Sequence, residues 1–137
     1  MIIEISGNIG SGKTTQINKI KNYFNNTTPI NSKSNIYFKE EEVKKWEEEG
    51  WINSIYKDLS KYSFGFQLRV LISHSNLPND YQPEVIEDTN NVLFTERSSS
   101  TCQFIFAKML LKQKIIEPME YNLCLQYYNK IGWSPNH

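Results

Sequence analysis

The stretch "IIEISGNIGSGKTT" (residues 2–15) decides the fold. Its second half, "GNIGSGKT" (7–14), has the P-loop spacing G-x-x-x-x-G-K-[ST]. Before it, "IIEIS" (2–6) is short and apolar and reads as a strand. After it, Ile17, Ile20 and Phe24 recur at the spacing of an amphipathic helix. In that context a glycine-rich turn is a phosphate cradle rather than a simple helix cap. Gly7, Gly10 and Gly12 let the backbone turn tightly and point its N–H groups inward, where a side chain would block a phosphate. The helix that follows offers unpaired N–H groups and the positive end of its dipole to an anion. Lys13 supplies a mobile cation for the terminal phosphates and Thr14 a hydroxyl for magnesium. The expected triphosphate contacts are Gly7, Asn8, Ile9, Gly10, Ser11, Gly12, Lys13, Thr14 and Thr15.

Working outward, "NIYFKE" (35–40) and "NVLFTE" (91–96) read as two further strands, each apolar and followed by polar residues. Helical patterns lie between them. Trp51, Ile55 and Leu59 form one stripe, and Phe64, Leu68, Leu71 and Ile72 another. Beyond the third strand, Phe104 and Leu111 belong to a strongly apolar helix. Pro118 suits the first position of a last helix running to about Ile131. Strands alternating with helices predict an α/β domain around a parallel sheet, with no repeats and no internal boundary. The segments at 25–35 and "SNLPNDYQPE" (75–84) read as loops.

Composition narrows the partners. The formal charge is zero, so counterion-releasing attraction to a nucleic acid polymer or an anionic membrane is not expected. No apolar run reaches membrane-spanning length, and "MIIEISGN" lacks the features of a signal peptide. Cys102 and Cys124 are far apart, and His74 and His137 are isolated, which argues against zinc. Two buried thiols and a reducing, cytoplasmic location are the expectation.

In "FTERSSSTCQ" (94–103), Arg97 stands out, because the lysine-rich chain has only one other arginine, Arg69. Arginine is a planar, permanently charged fork suited to carboxylate or phosphate. Glu96, at the end of its strand, could order magnesium water opposite the Thr14 hydroxyl. Arg97 would then face the cleft at the carboxyl ends of the strands. A local surface salt bridge between the two is the alternative, and position alone leaves both open.

Taken in order, "GNIGSGKTT", "YSFGFQ" and "FTERSSSTCQFIFA" resemble the deoxynucleoside kinase family over essentially the whole chain. The resemblance implies a P-loop kinase-like parallel sheet with flanking helices. It also implies transfer of the ATP γ-phosphoryl group, with Mg2+, to the 5′-hydroxyl of a deoxynucleoside. Arg97 would bind near that hydroxyl and the transferred group, and Glu96 would support magnesium. Gln67 would pair with the base edge, its amide offering both donor and acceptor. Phe66 and Phe106 would flank the base, and Tyr56 would touch the sugar 3′-hydroxyl. In "EEVKKW" (41–46), similar to the family's E-P-V-x-x-W, Glu41 falls at the general base. Glu42 replaces the proline, which leaves the register open among Glu40, Glu41 and Glu42. Val43 would be partly core and Trp46 would line the sugar pocket. At two base-tuning positions, His74 and Cys102 stand where purine- and cytidine-preferring members carry an arginine–aspartate pair. This tilts the expectation toward pyrimidines, thymidine included.

The same resemblance implies that the C-terminal portion of the usual domain is missing after 137. With two arginines in all, the chain has no counterpart of the family's arginine-rich lid. Either the chain is a fragment or truncated product of a kinase, or a partner chain completes it; self-pairing through the helix at 99–116, a subunit contact in the family, could also hide the exposed edge of the first strand. The competing expectations are a catalytically inactive nucleotide- or nucleoside-binding remnant, and a nucleoside monophosphate kinase. A chain this poor in arginine is ill equipped to grip the second phosphate required by the latter.

Overall fold

A computed structural model describes residues 1–8, 10–27, 35–75 and 90–131. Most of both expected loops lies outside them. Strands β1 (Ile2–Ile5), β2 (Ile36–Lys39) and β3 (Val92–Glu96) form a parallel sheet in the order β1-β3-β2. Ile2 is in register with Leu93, and Ile36 with Val92. β3 is the central strand, and Leu93 to Glu96 are buried, as expected for a strand paired on both sides and covered on its faces. Helix α1 (Lys13–Thr27) packs its Ile17 inward at 1% exposure and sets Phe24 against Phe94, their ring centroids 6.0 Å apart. Phe38 stacks on Phe94 at 5.2 Å. The mixed α/β class with a parallel sheet and flanking helices is therefore the observed one.

The remaining elements are helical: α2 (Val43–Glu48), α3 (Trp51–Lys57), α4 (Leu59–Ser75) and α6 (Pro118–Ile131). Between α4 and α6 in this group lies α5 (99–112). It begins as α-helix at Ser99–Thr101, widens to a π-helix over Cys102–Ala107 and returns to α-helix over Lys108–Lys112. The helix expected over 99–116 thus ends at Lys112, with Lys114 in the left-handed region at φ 57°. The core here is Trp46, Val70, Leu71, Cys102 and Cys124, with Phe64, Phe66, Leu68 and Tyr128 packed around it.

By packing, the chain divides into a sheet unit, Met1–Glu41 with Leu77–Ser98, and a helical unit, Glu42–Asn76 with Ser99–His137. Three expectations need correction. The stripe Trp51, Ile55, Leu59 is not one helix. Asp58 turns extended at φ −152°, and its carboxylate accepts the Lys61 N–H at 3.1 Å, capping α4. Of the stripe Phe64, Leu68, Leu71 and Ile72, Leu71 is fully buried as expected, but Ile72 is 39% exposed. Val43 is 41% exposed rather than core, because the short α2 turns Trp46 inward.

Candidate active site

The glycine loop adopts the conformation its composition favours. Gly10 and Gly12 have φ of 77° and 82°, the left-handed region in which a Cβ is strained. At Gly7 a Cβ would lie 2.7 Å from Ser11 Oγ, a hydroxyl that can rotate away, so the requirement for glycine there is weaker. The Ser11 N–H donates to the Asn8 carbonyl at 3.2 Å, and α1 begins at Lys13. Lys13 is 8% exposed, and its Nζ donates to the Asn8 carbonyl at 2.8 Å, which folds the ammonium back over the loop. Thr14 and Thr15 are exposed at the helix start. Ile9 lies outside the described residues.

Across the sheet unit, β1 and β3 run in register from Ile2↔Leu93 to Ile5↔Glu96, so the loop after β1 emerges beside the end of β3. The Thr14 hydroxyl donates to Glu96 Oε1 at 3.0 Å, although the two residues are 82 positions apart. Arg97 follows in the left-handed region at φ 57°, a conformation that costs a non-glycine residue about 1–3 kcal/mol. Local bonds hold it there. The Thr95 hydroxyl donates to the Arg97 carbonyl at 2.8 Å, and the Arg97 N–H donates to the Ile5 carbonyl at 3.2 Å.

The strained backbone aims the guanidinium at two acceptors. Nη1 donates to both Glu41 carboxylate oxygens, at 2.6 and 2.7 Å, and Nη2 donates to the Gly7 carbonyl at 3.0 Å. Side-chain exposure is 9% for Arg97 and 6% for Glu41. Of the three consecutive glutamates, Glu40 pairs with Lys21, Glu41 with Arg97, and Glu42 with Arg69 and Lys45. Burial raises the Glu41 carboxyl above its ordinary value, against the pull of Arg97; neighbouring Glu96 adds to the rise and Lys13 opposes it. The sheet unit therefore brings together Gly7, Asn8, Lys13, Thr14, Glu41, Glu96 and Arg97.

The helical unit gathers a second set. Gln67 is 5% exposed, and its Nε2 donates to the Cys102 carbonyl at 2.7 Å. That bond fixes which side of the amide is oxygen and uses one of its two N–H groups, leaving an N–H and the oxygen for other partners. Phe66 meets Trp46 edge-on, with centroids 5.4 Å apart, and lies 6.3 Å from Trp51. Gly65 permits that packing, since a Cβ there would press on the Trp51 ring at 2.9 Å. Cys102 and His74 are buried, Phe106 is half-buried in the π-helix, and Tyr56 is 83% exposed. Both cysteines are buried and neither is in a disulfide. Desolvation chiefly, with Glu120 nearby, pushes the Cys124 thiol up to about 11, which leaves it unreactive.

Sequence reading missed the supports. Thr95 steadies Arg97 and Ser73 receives the Trp46 indole N–H at 3.0 Å. A lone threonine or serine in an apolar segment carries no signal of such a role.

The family model for deoxynucleoside kinase matches residues 3–137. A protein of Invertebrate iridescent virus 3 with "kinase protein" in its name is 27% identical over 135 residues, which cover 98% of this chain and 60% of that protein. A protein of Fowlpox virus (strain NVSL) with "deoxycytidine kinase" in its name is 26% identical over 125 residues, or 91% of this chain and 47% of that protein. The chain thus spans between about half and three-fifths of the length of these relatives. No helix among the described residues is long and apolar enough to cross a membrane. With the cradle, the strand-end arginine and the buried carboxylate in one unit, and the family model matching nearly end to end, this chain belongs to the deoxynucleoside kinase family.

Proposed function

We propose that the chain carries the phosphoryl-transfer half of a deoxynucleoside kinase, moving the ATP γ-phosphoryl group to a deoxynucleoside 5′-hydroxyl. The observation that carries this reading is the Arg97 guanidinium held between the Glu41 carboxylate and the Gly7 carbonyl of the loop. It joins a candidate base to a phosphate cradle through a cation of fixed geometry.

In this reading Lys13 exchanges the Asn8 carbonyl for a phosphate oxygen. Glu41 accepts the 5′-hydroxyl proton, a task helped by a carboxyl raised toward the working pH. Arg97 neutralises charge that develops between the hydroxyl and the incoming group. The Thr14 hydroxyl and Glu96 carboxylate, 3.0 Å apart, are hard oxygen donors of the kind that suit Mg2+, which takes few protein ligands and fills the rest with water and phosphate. When bound, the ion would offset phosphate charge.

For the nucleoside, Gln67 keeps a donor and an acceptor for a base edge, while Phe66, Phe106, Trp46 and Tyr56 supply aromatic surface. His74 and Cys102 offer no arginine–aspartate pair, which supports a pyrimidine. Exposed Phe104, Ile105 and Met109 on α5 support self-association. Incubation with labelled ATP, magnesium and each deoxynucleoside is expected to yield a 5′-monophosphate, and Lys13→Ala is expected to abolish it. Nucleoside binding without turnover in any mixture would overturn the kinase reading in favour of a binding remnant.

A further inference from the structure

Arg69, the second arginine, is not used by the proposed chemistry, yet it is as fully engaged as Arg97. Its Nε and Nη2 form a two-pronged pair with Glu49, at 2.6 and 2.7 Å, and Nη2 also reaches Glu42 at 3.4 Å. Nη1 donates to Ser73 Oγ at 2.6 Å, one turn further along α4. Ser73 in turn donates to Glu42 at 2.9 Å and accepts the Trp46 indole N–H at 3.0 Å. A hydroxyl has one proton to give and two lone pairs to fill; here both lone pairs accept, and the single proton is shared between Glu42 and the Arg69 carbonyl, 3.2 Å away.

The geometry has a purpose visible in the chain order. Glu42 and Glu49 cap the two ends of α2, and Trp46 lies in its middle. A helix of six residues does not hold itself together. Glu42 makes no side-chain capping bond at the α2 N-terminus; besides a 3.7 Å ion pair with Lys45, its carboxylate turns to Ser73 of α4. Trp46 is 4% exposed and meets Phe66, which adjoins Gln67, with the two rings perpendicular.

We propose that Arg69 is a positioning residue: with Ser73 it clamps both ends and the middle of α2, locking the Trp46 indole and, through it, the Phe66 face offered to the nucleoside. The link to the nucleoside rests on the proposed function, but the clamp does not. A lysine would keep the charge at 69 and lose the fork, so Arg69→Lys separates clamp from charge, and Ser73→Ala removes the hub with little change of volume.

The experiment uses the full chain, 15N-labelled, with the Trp46 indole signal assigned through Trp46→Phe. In the free protein, both variants are expected to speed solvent exchange of the Trp46 indole proton by at least tenfold. Against thymidine and deoxycytidine, both are expected to weaken binding about tenfold while ATP affinity stays within twofold. Unchanged indole exchange in Arg69→Lys and Ser73→Ala would overturn the clamp. Faster exchange with unchanged nucleoside affinity would overturn the positioning role, as would an equal loss of nucleoside and ATP binding. A wild-type chain whose indole is protected through Arg69 and Ser73 but which binds no nucleoside would sustain the clamp and refute the proposed function instead.

Discussion

Replacing Arg97 with glutamine tests the centre of the site without presuming turnover. Glutamine keeps a planar amide and the same left-handed backbone, so the strain at φ 57° is nearly common to both proteins. What disappears is the cation facing Glu41, whose side chain is 6% exposed and receives two bonds of 2.6 and 2.7 Å. The orphaned carboxylate then stays ionised in a buried site or takes up a proton. Proton uptake sets a ceiling on the cost, about 1.36 kcal/mol for each pH unit above the ordinary value of 4.5. Near pH 8 that ceiling is about 4.8 kcal/mol, and near pH 5.5 about 1.4 kcal/mol. Breaking a buried pair typically costs about 3–5 kcal/mol, so the alkaline penalty approaches its ceiling. The lost bond to Gly7 adds an amount that does not vary with pH.

The sign follows from proton counting. Glu41 is already raised in the folded wild type, and removing Arg97 raises it further. Between the ordinary and the raised value the folded state therefore binds more protons than the unfolded one, and stability falls as pH climbs through that window. Arg97→Gln should accordingly lose about 2–3 kcal/mol more, relative to wild type, near pH 8 than near pH 5.5. Urea unfolding at both pH values, with midpoints compared at equal slope, measures this. A penalty that is the same at both would refute the buried Glu41–Arg97 pair.

Other outcomes are expected from the same geometry. Glu41→Gln should lower turnover by about 10²–10⁴. In the wild type, the rising limb of rate against pH should lie above the ordinary carboxylate range, because protonated Glu41 cannot act as a base; a full rate in the variant would remove Glu41 from the reaction. Gly12→Ala places a Cβ at φ 82° and should cost about 1–2 kcal/mol in unfolding experiments, with weaker ATP binding. Leu71→Ala empties a fully buried position and should cost about 2–5 kcal/mol, whereas the same change at exposed Ile72 should cost well under half as much.

What could be read from the chain was local. The strand before residue 7, the helix after residue 13 and the glycines between them impose their conformation over a few bonds, so "GNIGSGKT" reads as a phosphate loop in that local context. Pro118 opens α6 for the same reason, its ring suiting the first helical turn. Tertiary structure decided every long-range pairing: Thr14 with Glu96, Glu41 rather than its neighbours with Arg97, and Arg69 with both ends of α2. The π-helix at Cys102–Ala107 and the left-handed backbone of Arg97 belong to that second group. An arginine has no intrinsic preference for φ 57°. It adopts that angle because Thr95, Glu41 and the Ile5–Gly7 segment, from three separate parts of the chain, together repay a strain that no local sequence preference would select.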